Sequence, residues 1–459
     1  MYWKHTVKLS PYLLTSLIGV IGLIVAPVTL ASDAKRPRVE QYYITQLIEM
    51  ALENDASLRQ FFAQSQAIRE SGIASNTLMD PKLKFGIGGL PVDSFKLDDD
   101  PMTNMSVGIM QEFGRGSTLP LQQKKANQRA EGMIYKVKNK ELDIANRMTK
   151  LWLELGFQQE TKKILLKNKQ LMLEMESYIQ SNYAIGQSEV QDLLNAQLQV
   201  SKIDEQLQAN AQMQQRILAR FSEWLGSDWL MQQTDLSVTP QLQWQKLSVL
   251  LSNENNSRYY EQLASHPMIS MAETEITARK TEVAISKEAY KPKFGIEVMY
   301  GKRQANGMGG EPAPDLFSAF LTVDIPLFTG NKQDRNRAAA QYQVIAAKSN
   351  KTVLLSQMNA KVNALMMDRT NLKQRLMRYE STLIKQAQSR TQAVERGYEN
   401  NTAQFNDVIS AVSDELLLEI EMWRLITELN ITHSNLAYLL NGFDYVVSQP
   451  RFRNEPYRQ

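Results

Sequence analysis

The chain repeats one pattern of residues at a fixed distance along its length. A tyrosine, a turn residue and an aspartate recur with an offset of 215 residues (398 − 183 = 215). The matching positions are Tyr183 and Tyr398, Gly186 and Asn401, and Asp192 and Asp407. Upstream, the segment Asp80–Gly86 resembles Lys291–Gly295. Because several matches occur in the same order, we expect two similar halves that form the same elements.

Each half has the pattern of two strands followed by two long helices. In the first half, residues 32–237, periodicity predicts strands at about 82–90 and 104–113 and helices at about 120–183 and 188–225. In the second half, residues 238–445, it predicts strands at about 293–300 and 317–328 and helices at about 332–398 and 404–440. Residues 446–459 are interpreted as a C-terminal tail.

The predicted helices are too long for one globular core. A helix of about 60 residues is a rod of about 90 Å, since each residue adds about 1.5 Å. Ala145, Met148, Trp152 and Leu155 follow a heptad-like spacing that is typical of coiled coils. We therefore expect the helices to bury their apolar stripes against each other or against copies of the chain.

Four predicted strands are too few to close a barrel across a membrane. The smallest bacterial barrels have eight strands, and unpaired strand edges are not tolerated in lipid. Two chains supply eight strands and three supply twelve, and only the larger barrel leaves room for a channel. The fold class predicted is mainly α with a transmembrane β-barrel portion shared between copies of the chain.

The N-terminus has the order of segments found in secretory signal peptides. Lys4 and Lys8 precede an apolar run from Leu13 to Ala26, and Ala31 offers a small residue for cleavage. We expect residues 1–31 to be a signal peptide; an uncleaved anchor helix is the alternative. No cysteine follows the cleavage point, so the pattern is not that of a lipoprotein.

Composition argues against several classes of function. The formal charge of +3 disfavours a nucleic-acid binder that relies on bulk charge. Cysteine is absent and histidine occurs three times, which leaves little for metal binding or acid–base catalysis. No phosphate-binding loop, HExxH motif or serine nucleophile elbow occurs, so we expect no enzyme, no cofactor and no metal site. The run Asp98–Asp100 and the 21 methionines are better explained as a solvated loop and core filler than as cation sites.

Two motifs make the chain resemble the TolC family of outer-membrane efflux channels. The family's tip motif, Tyr-x-x-Gly followed by Asp-hydrophobic-Leu, matches Tyr183, Gly186, Asp192 and Leu194. The family's strand-Pro-Leu-Phe-x-Gly-x-Lys motif matches residues 325–332. The first half departs from this second motif, because Gly114 stands where proline is usual, and Asn401 replaces the tip glycine in the second half. The resemblance covers nearly all of the chain after residue 31.

The resemblance implies a homotrimer in the outer membrane of a Gram-negative bacterium. Its expected architecture is a 12-stranded barrel in lipid and an α-helical tunnel through the periplasm. The expected partners are a periplasmic adaptor (a membrane fusion protein) and an inner-membrane pump of the RND type. The channel would passively export what the pump delivers and open by an iris-like movement of its helix tips.

The sequence leaves the branch of the family open: it can be the heavy-metal branch, cobalt–zinc–cadmium or copper–silver, or a drug or general branch. A non-pore periplasmic coiled-coil scaffold or adaptor is the alternative function.

The candidate site residues lie at the two helix tips. Asp407 and Asp192 are expected to form carboxylate rings at the pore constriction, and helix capping is the alternative for both. The adaptor-contact candidates are Gly186, Gln187, Ser188, Asn401 and Thr402, for which a plain helix–helix turn is the alternative. Tyr183 and Tyr398 are expected to pack near the closed tip, either between coils or within one.

Overall fold

The chain combines one small antiparallel sheet with two very long helical hairpins. The computed structural model describes residues 36–232, 236–252, 259–400 and 402–446. The predicted signal peptide and, apart from residue 446, the predicted tail lie outside these residues. Among the described residues, no helix has both the length and the apolarity needed to cross a membrane.

The sheet joins the strands of both halves in chain order. Its strands are β1 (Lys82–Gly88), β2 (Asn104–Glu112), β3 (Lys293–Arg303) and β4 (Leu316–Asp324). All neighbours are antiparallel, in the order β1-β2-β3-β4. The central pair, β2 and β3, therefore connects the first half to the second.

The two faces of the sheet differ in polarity. Directly opposite residues of antiparallel strands share a face, so Phe85, Val107, Tyr300 and Phe317 form one row across all four strands. The neighbouring rows of this face are also largely apolar: Leu83, Ile87, Ile109, Ile296, Val298, Leu321 and Val323. On this face Phe85 is 78% exposed, so the described residues leave a large apolar surface uncovered.

The opposite face carries charged and small residues. Lys84 Nζ lies 2.6 Å from Glu297 Oε2, and Lys82 Nζ lies 3.2 Å from Glu112 Oε1. Ser106, Gly108, Ser318 and Thr322 are among the small or polar residues of the same face. The sheet is therefore amphipathic, with an apolar and a polar side.

Three strand ends differ from the sequence prediction by two residues or more. β1 ends at Gly88 rather than 90, because Gly89 adopts φ +65°, which begins the loop. β4 ends at Asp324 rather than 328, since Pro326 has no N–H to donate to a neighbouring strand. β3 continues to Arg303 instead of 300, where Arg303 pairs with Asn104 and its N–H donates to Asp315.

The first helical hairpin consists of α3 (Thr118–Ala184) and α4 (Val190–Leu225). At 67 residues, α3 is about 100 Å long. The helix predicted from 188 begins at Val190, because Glu189 at the N-cap is still extended, with ψ 150°. Ala145, Met148, Trp152 and Leu155, the seam predicted from heptad spacing, are fully buried in α3.

The second hairpin contains a helical irregularity that the prediction of one helix over 332–398 missed. α9 (Gln333–Arg378) passes through a π turn (Tyr379–Leu383) into α10 (Ile384–Glu399), and α11 (Phe405–Leu440) returns. α3 and α9 begin equally far from their tip tyrosines (183 − 118 = 65 and 398 − 333 = 65), so no additional residue between the helix start and the tip accompanies the π turn.

Shorter helices pack along the long ones. They are α1 (Arg36–Asn54), α2 (Ala56–Ala74), α5 (Ser227–Gln232), α6 (Gln245–Ser252), α7 (Tyr259–Ala264) and α8 (Pro267–Glu288). α1 and α2 are separated at Asp55, whose carboxylate accepts a hydrogen bond from the Leu58 N–H at 2.9 Å. Ser65 Oγ of α2 donates to Ala130 O of α3, and Thr281 Oγ1 of α8 donates to Gln128. α2 and α8 therefore both pack on α3.

Candidate functional site

The first tip is a tight turn built around Gly186. The Gln187 N–H donates to Asn182 O at 2.8 Å, and the Gly186 N–H donates to Tyr183 O at 3.0 Å. This pair of bonds is the Schellman motif, which ends a helix with one left-handed residue. Gly186 supplies that residue with φ +75°, a conformation that costs glycine little.

The second tip has a backbone hydrogen bond that corresponds to the one between Gln187 and Asn182 in the first tip. The Thr402 N–H donates to Gly397 O at 2.7 Å, and the Thr402 hydroxyl donates to the same oxygen at 3.0 Å. Thr402 and Gln187 are 215 residues apart (402 − 187), so the duplication extends to the hydrogen bonding of the turns. The candidate Asn401 lies outside the described residues.

The two tips contact each other through Tyr398. Its hydroxyl lies near the Ser188 side chain of the first tip. Its ring lies edge-on to Tyr178, with centroids 6.1 Å apart, and against Phe405 at 5.9 Å. Burial raises the pKa of Tyr398; the nearby Ser188 hydroxyl lowers this pKa, and the Asp192 charge raises it further. Tyr398 therefore joins the two hairpins of one chain.

Tyr183, the counterpart of Tyr398, has a different environment. Its side chain is 46% exposed, whereas Tyr398 is half-buried. The structure brings Tyr398, Ser188 and Asp192 together and leaves Tyr183 on the surface of the chain. The two tyrosines that the sequence pairs by position are thus not equivalent in packing.

The two candidate aspartates also differ. Asp192 is half-buried, and burial, followed by the nearby Glu189 charge, raises the pKa of its carboxyl group. Asp407 is exposed and caps α11, because its carboxylate accepts from the Gln404 N–H at 3.1 Å. Capping by Asp407, one of the two roles expected from the sequence, is therefore seen directly.

The proposed contact residues separate into two groups. Gly186, Gln187 and Thr402 are exposed at the tips, whereas Ser188 is half-buried against Tyr398. Sequence reasoning missed Phe405 and Tyr178, which complete the contact between the tips. Phe405 could have been identified from the sequence, because it is an apolar residue directly after a polar turn.

A groove rich in carboxylates runs between α3 and α10 beside this contact. One cavity of about 310 Å³ is lined by Glu174, Tyr178, Glu395, Tyr398 and Glu399, among others. Burial raises the pKa of the Glu395 carboxyl group, and the charges of Glu415 and Glu399 raise it further. The groove can attract cations, although no group of three or more His, Asp or Glu in the described chain is arranged to hold a metal ion.

Comparison with known proteins identifies the fold. No protein-family model and no curated protein matches the chain. The outer membrane protein VceC from Vibrio cholerae superposes with a TM-score of 0.71 at 14% identity, covering 88% of this chain and 97% of VceC. The channel protein CusC gives 0.68 at 13% identity, covering 87% and 92%. The open outer membrane channel MtrE of Neisseria gonorrhoeae gives 0.66 at 13% identity, covering 86% and 88%. The chain therefore has the fold of outer-membrane channels, the fold that its resemblance to the TolC family implied.

Proposed function

We propose that the chain is the outer-membrane channel of a tripartite efflux system. The observation that carries the proposal is the sheet, whose apolar face is exposed on four strands that continue into two long coiled-coil hairpins. Such a surface is stable only where lipid or another apolar partner covers it. The likeness to VceC, CusC and MtrE supports the same location, the outer membrane of a Gram-negative bacterium.

In a homotrimer, the two free edges of this sheet pair with the edges of neighbouring copies. Strands β1 and β4 are the outer strands, and each leaves one side without a partner within the described chain. Three copies placed edge to edge form a 12-stranded barrel in which every strand is paired. The apolar face then meets lipid, and the polar face with Lys84 and Glu297 lines the water-filled interior.

The helical hairpins form the periplasmic tunnel and its gate. Three copies would bring six tips together, with Asp192 and Asp407 as carboxylate rings at the narrowest point. Iris-like opening requires the tips to separate, so contacts such as Tyr398 to Ser188 oppose it. Gly186, Gln187, Ser188, Asn401 and Thr402 are the proposed contacts for a periplasmic adaptor, a membrane fusion protein. An RND-type pump in the inner membrane would supply the energy, and the channel itself would catalyse no reaction.

For the exported substrate we propose only a chemical class, cations. Carboxylates in the groove and at the tips attract cations, which suits heavy-metal ions and cationic drugs alike. Growth of a deletion strain across metals, dyes, detergents and antibiotics distinguishes the two branches.

The proposal is tested on the purified protein in mild detergent and in planar bilayers. We expect light scattering to give the mass of three chains, heat-modifiable migration on gels, and stepwise conductance. A monomer that fractionates with soluble periplasmic proteins would instead support the alternative, a non-pore coiled-coil scaffold or adaptor. The amphipathic sheet argues against that alternative, because a soluble scaffold has no use for an uncovered apolar face.

A further inference from the structure

The groove between α3 and α10 consists of two adjoining cavities. Their volumes are about 310 and about 530 Å³, and both are lined by Leu171, Glu174 and Glu395. Cavities of about 300 Å³ or more are large enough for a drug-sized organic molecule. The lining residues of both cavities come from one chain, so the groove does not need a neighbouring copy to form.

The carboxylates of this groove lack cationic partners. Its lining includes five glutamates and one lysine, a formal charge of −4 (1 − 5). Within the described part of the chain, Glu395, Glu399 and Glu415 form no ion pair, whereas Asp414 on the same hairpin pairs with Arg390 at 2.5 Å. The groove therefore holds negative charge that a bound cation would neutralise.

The other walls of the groove are apolar and aromatic. Leu171, Met175 and Val408 line the smaller cavity together with Tyr178 and Tyr398. Tyr178 is 48% exposed, so its ring is accessible from the groove. Aromatic rings attract organic cations through the negative charge of their faces. The groove thus combines an apolar surface with uncompensated carboxylates.

A bare metal ion fits these walls less well than an organic cation. Hard metal ions need several oxygen ligands that converge to within about 2.0–2.6 Å. In the part of the chain that the structure describes, no three carboxylates or histidines are arranged in this way. Leu171 and Val408 supply no ligand, but they can cover the apolar part of an organic ion.

We propose that this groove binds monovalent organic cations that carry an apolar body, such as quaternary ammonium or phosphonium ions. The positive centre lies beside Glu395, and the apolar body lies on Leu171, Tyr178 and Val408. The proposal rests on the efflux function proposed above and deepens it, because it assigns a class to the exported cations.

Ethidium is a suitable probe, because its fluorescence anisotropy rises when the dye binds to a large protein. The full chain in a nonionic detergent is titrated with ethidium, and the signal of protein-free micelles is subtracted. We expect saturable binding with which tetraphenylphosphonium competes. Tetraphenylborate, which has the same shape and the opposite charge, should not compete. Equal competition by both ions would overturn the proposal, and so would displacement of the dye by an equal concentration of Zn²⁺.

Two substitutions test the proposed contacts. Glu395→Gln keeps the shape of the side chain without its charge and should weaken ethidium binding about tenfold. Tyr178→Leu keeps an apolar wall without the ring and should weaken binding about threefold. The matched control is Glu380→Gln, which removes an exposed carboxylate that lines neither cavity, 15 residues (395 − 380) and about 22 Å away along the helix. Its binding should be unchanged.

Thermal unfolding separates a loss of binding from a loss of folding. Burial opposes the charge of Glu395, so Glu395→Gln should unfold at the same or a higher temperature although it binds less dye. Unweakened binding in both Glu395→Gln and Tyr178→Leu would overturn the site. An equal loss in Glu380→Gln would also overturn it, because the effect would then come from overall charge.

The outcomes distinguish this inference from the proposed function. A trimer that conducts in bilayers but binds no ethidium overturns the groove site and leaves the channel. A monomer without conductance that binds ethidium with the expected pattern of variants overturns the channel and leaves the groove as a binding site.

Discussion

Asp407 and Gln404 cap the start of α11 reciprocally. The Gln404 N–H donates to Asp407 Oδ2 at 3.1 Å, and the Gln404 side chain accepts from the Asp407 N–H. This reciprocal arrangement is a capping box, which stabilises the helix start. The residue expected to line the pore constriction therefore also stabilises the second tip, and a variant must separate the two roles.

Asp407→Asn separates charge from capping. The asparagine side-chain oxygen can still accept from the Gln404 N–H, but the carboxylate ring is lost. We expect reduced cation preference and altered single-channel conductance in planar bilayers with little change in thermal stability. Asp407→Ala should add a loss of about 1 kcal/mol from the missing cap. Unchanged conductance and cation preference in both variants would exclude Asp407 from the constriction.

We expect the Tyr398 hydroxyl and the nearby Ser188 side chain to hold the tips closed through a hydrogen bond. Tyr398→Phe keeps the ring contacts with Tyr178 and Phe405 but removes the bond, which is worth about 1 kcal/mol. We expect a higher open probability in Tyr398→Phe and in Ser188→Ala. The double variant should resemble either single one, since both remove the same bond. Additive effects would show that the two residues act separately.

Gly186→Ala should weaken the first tip through the backbone alone. A Cβ atom at Gly186 would meet nothing within 4 Å, so φ +75° is the only source of strain. We expect a cost of roughly 1 kcal/mol and faster hydrogen exchange in the turn. Gly309→Ala is the control, because its Cβ also meets nothing and its φ is outside the left-handed region. Equal effects of the two variants would contradict the strain argument.

Adjacent residues on opposite faces test the orientation of the sheet. Leu321 and Thr322 are both exposed neighbours in β4, on the apolar and polar face respectively. Leu321→Arg should cost about 2 to 4 kcal/mol in a bilayer and lower the yield of membrane-inserted protein. Thr322→Arg should insert normally and change conductance instead. Similar insertion of both variants would argue against lipid on the apolar face.

Two histidines, one buried (His266) and one half-buried (His433), predict loss of stability in acid. Burial, with the positive charges of Arg369 and Lys373, lowers the pKa of His433 to about 4, and burial lowers that of His266 to about 4. Between the ordinary value of about 6.5 and about 4, the unfolded chain binds protons that the folded chain excludes, so stability falls as pH decreases through this window. Each histidine contributes at most roughly 3 kcal/mol.

The variant His433→Gln tests the contribution of His433 to this loss of stability. Its side-chain oxygen can still accept the bond that Arg369 Nε donates to His433 Nε2 at 3.2 Å. We expect the variant to lose less thermal stability than the unmodified chain between pH 7 and pH 5, with His266 still contributing. An identical loss in both proteins would show that His433 does not titrate in this window.

Regular periodicity explains why the long helices and the strands were predictable. Alternation in β2 and the heptad seam of α3 are local patterns that the burial of one face enforces. The π turn (Tyr379–Leu383) was not predicted, because it lies inside a continuous helical pattern. The ends of β1 and β4 depend on Gly89 and Pro326, whose effect appears only once the neighbouring strand is placed.

The two tips also combine features that are predictable from the sequence with features that depend on packing. The sequence by itself determined that the chain contains two equivalent turns, since Tyr183, Gly186 and Asp192 recur at a constant offset. Only the tertiary structure decided that Tyr398 is covered and Tyr183 is not, and that Asp407 is exposed and caps its helix while Asp192 is half-buried. The physical reason is that a duplicated sequence specifies equal local structure, whereas burial depends on which half lies next to which.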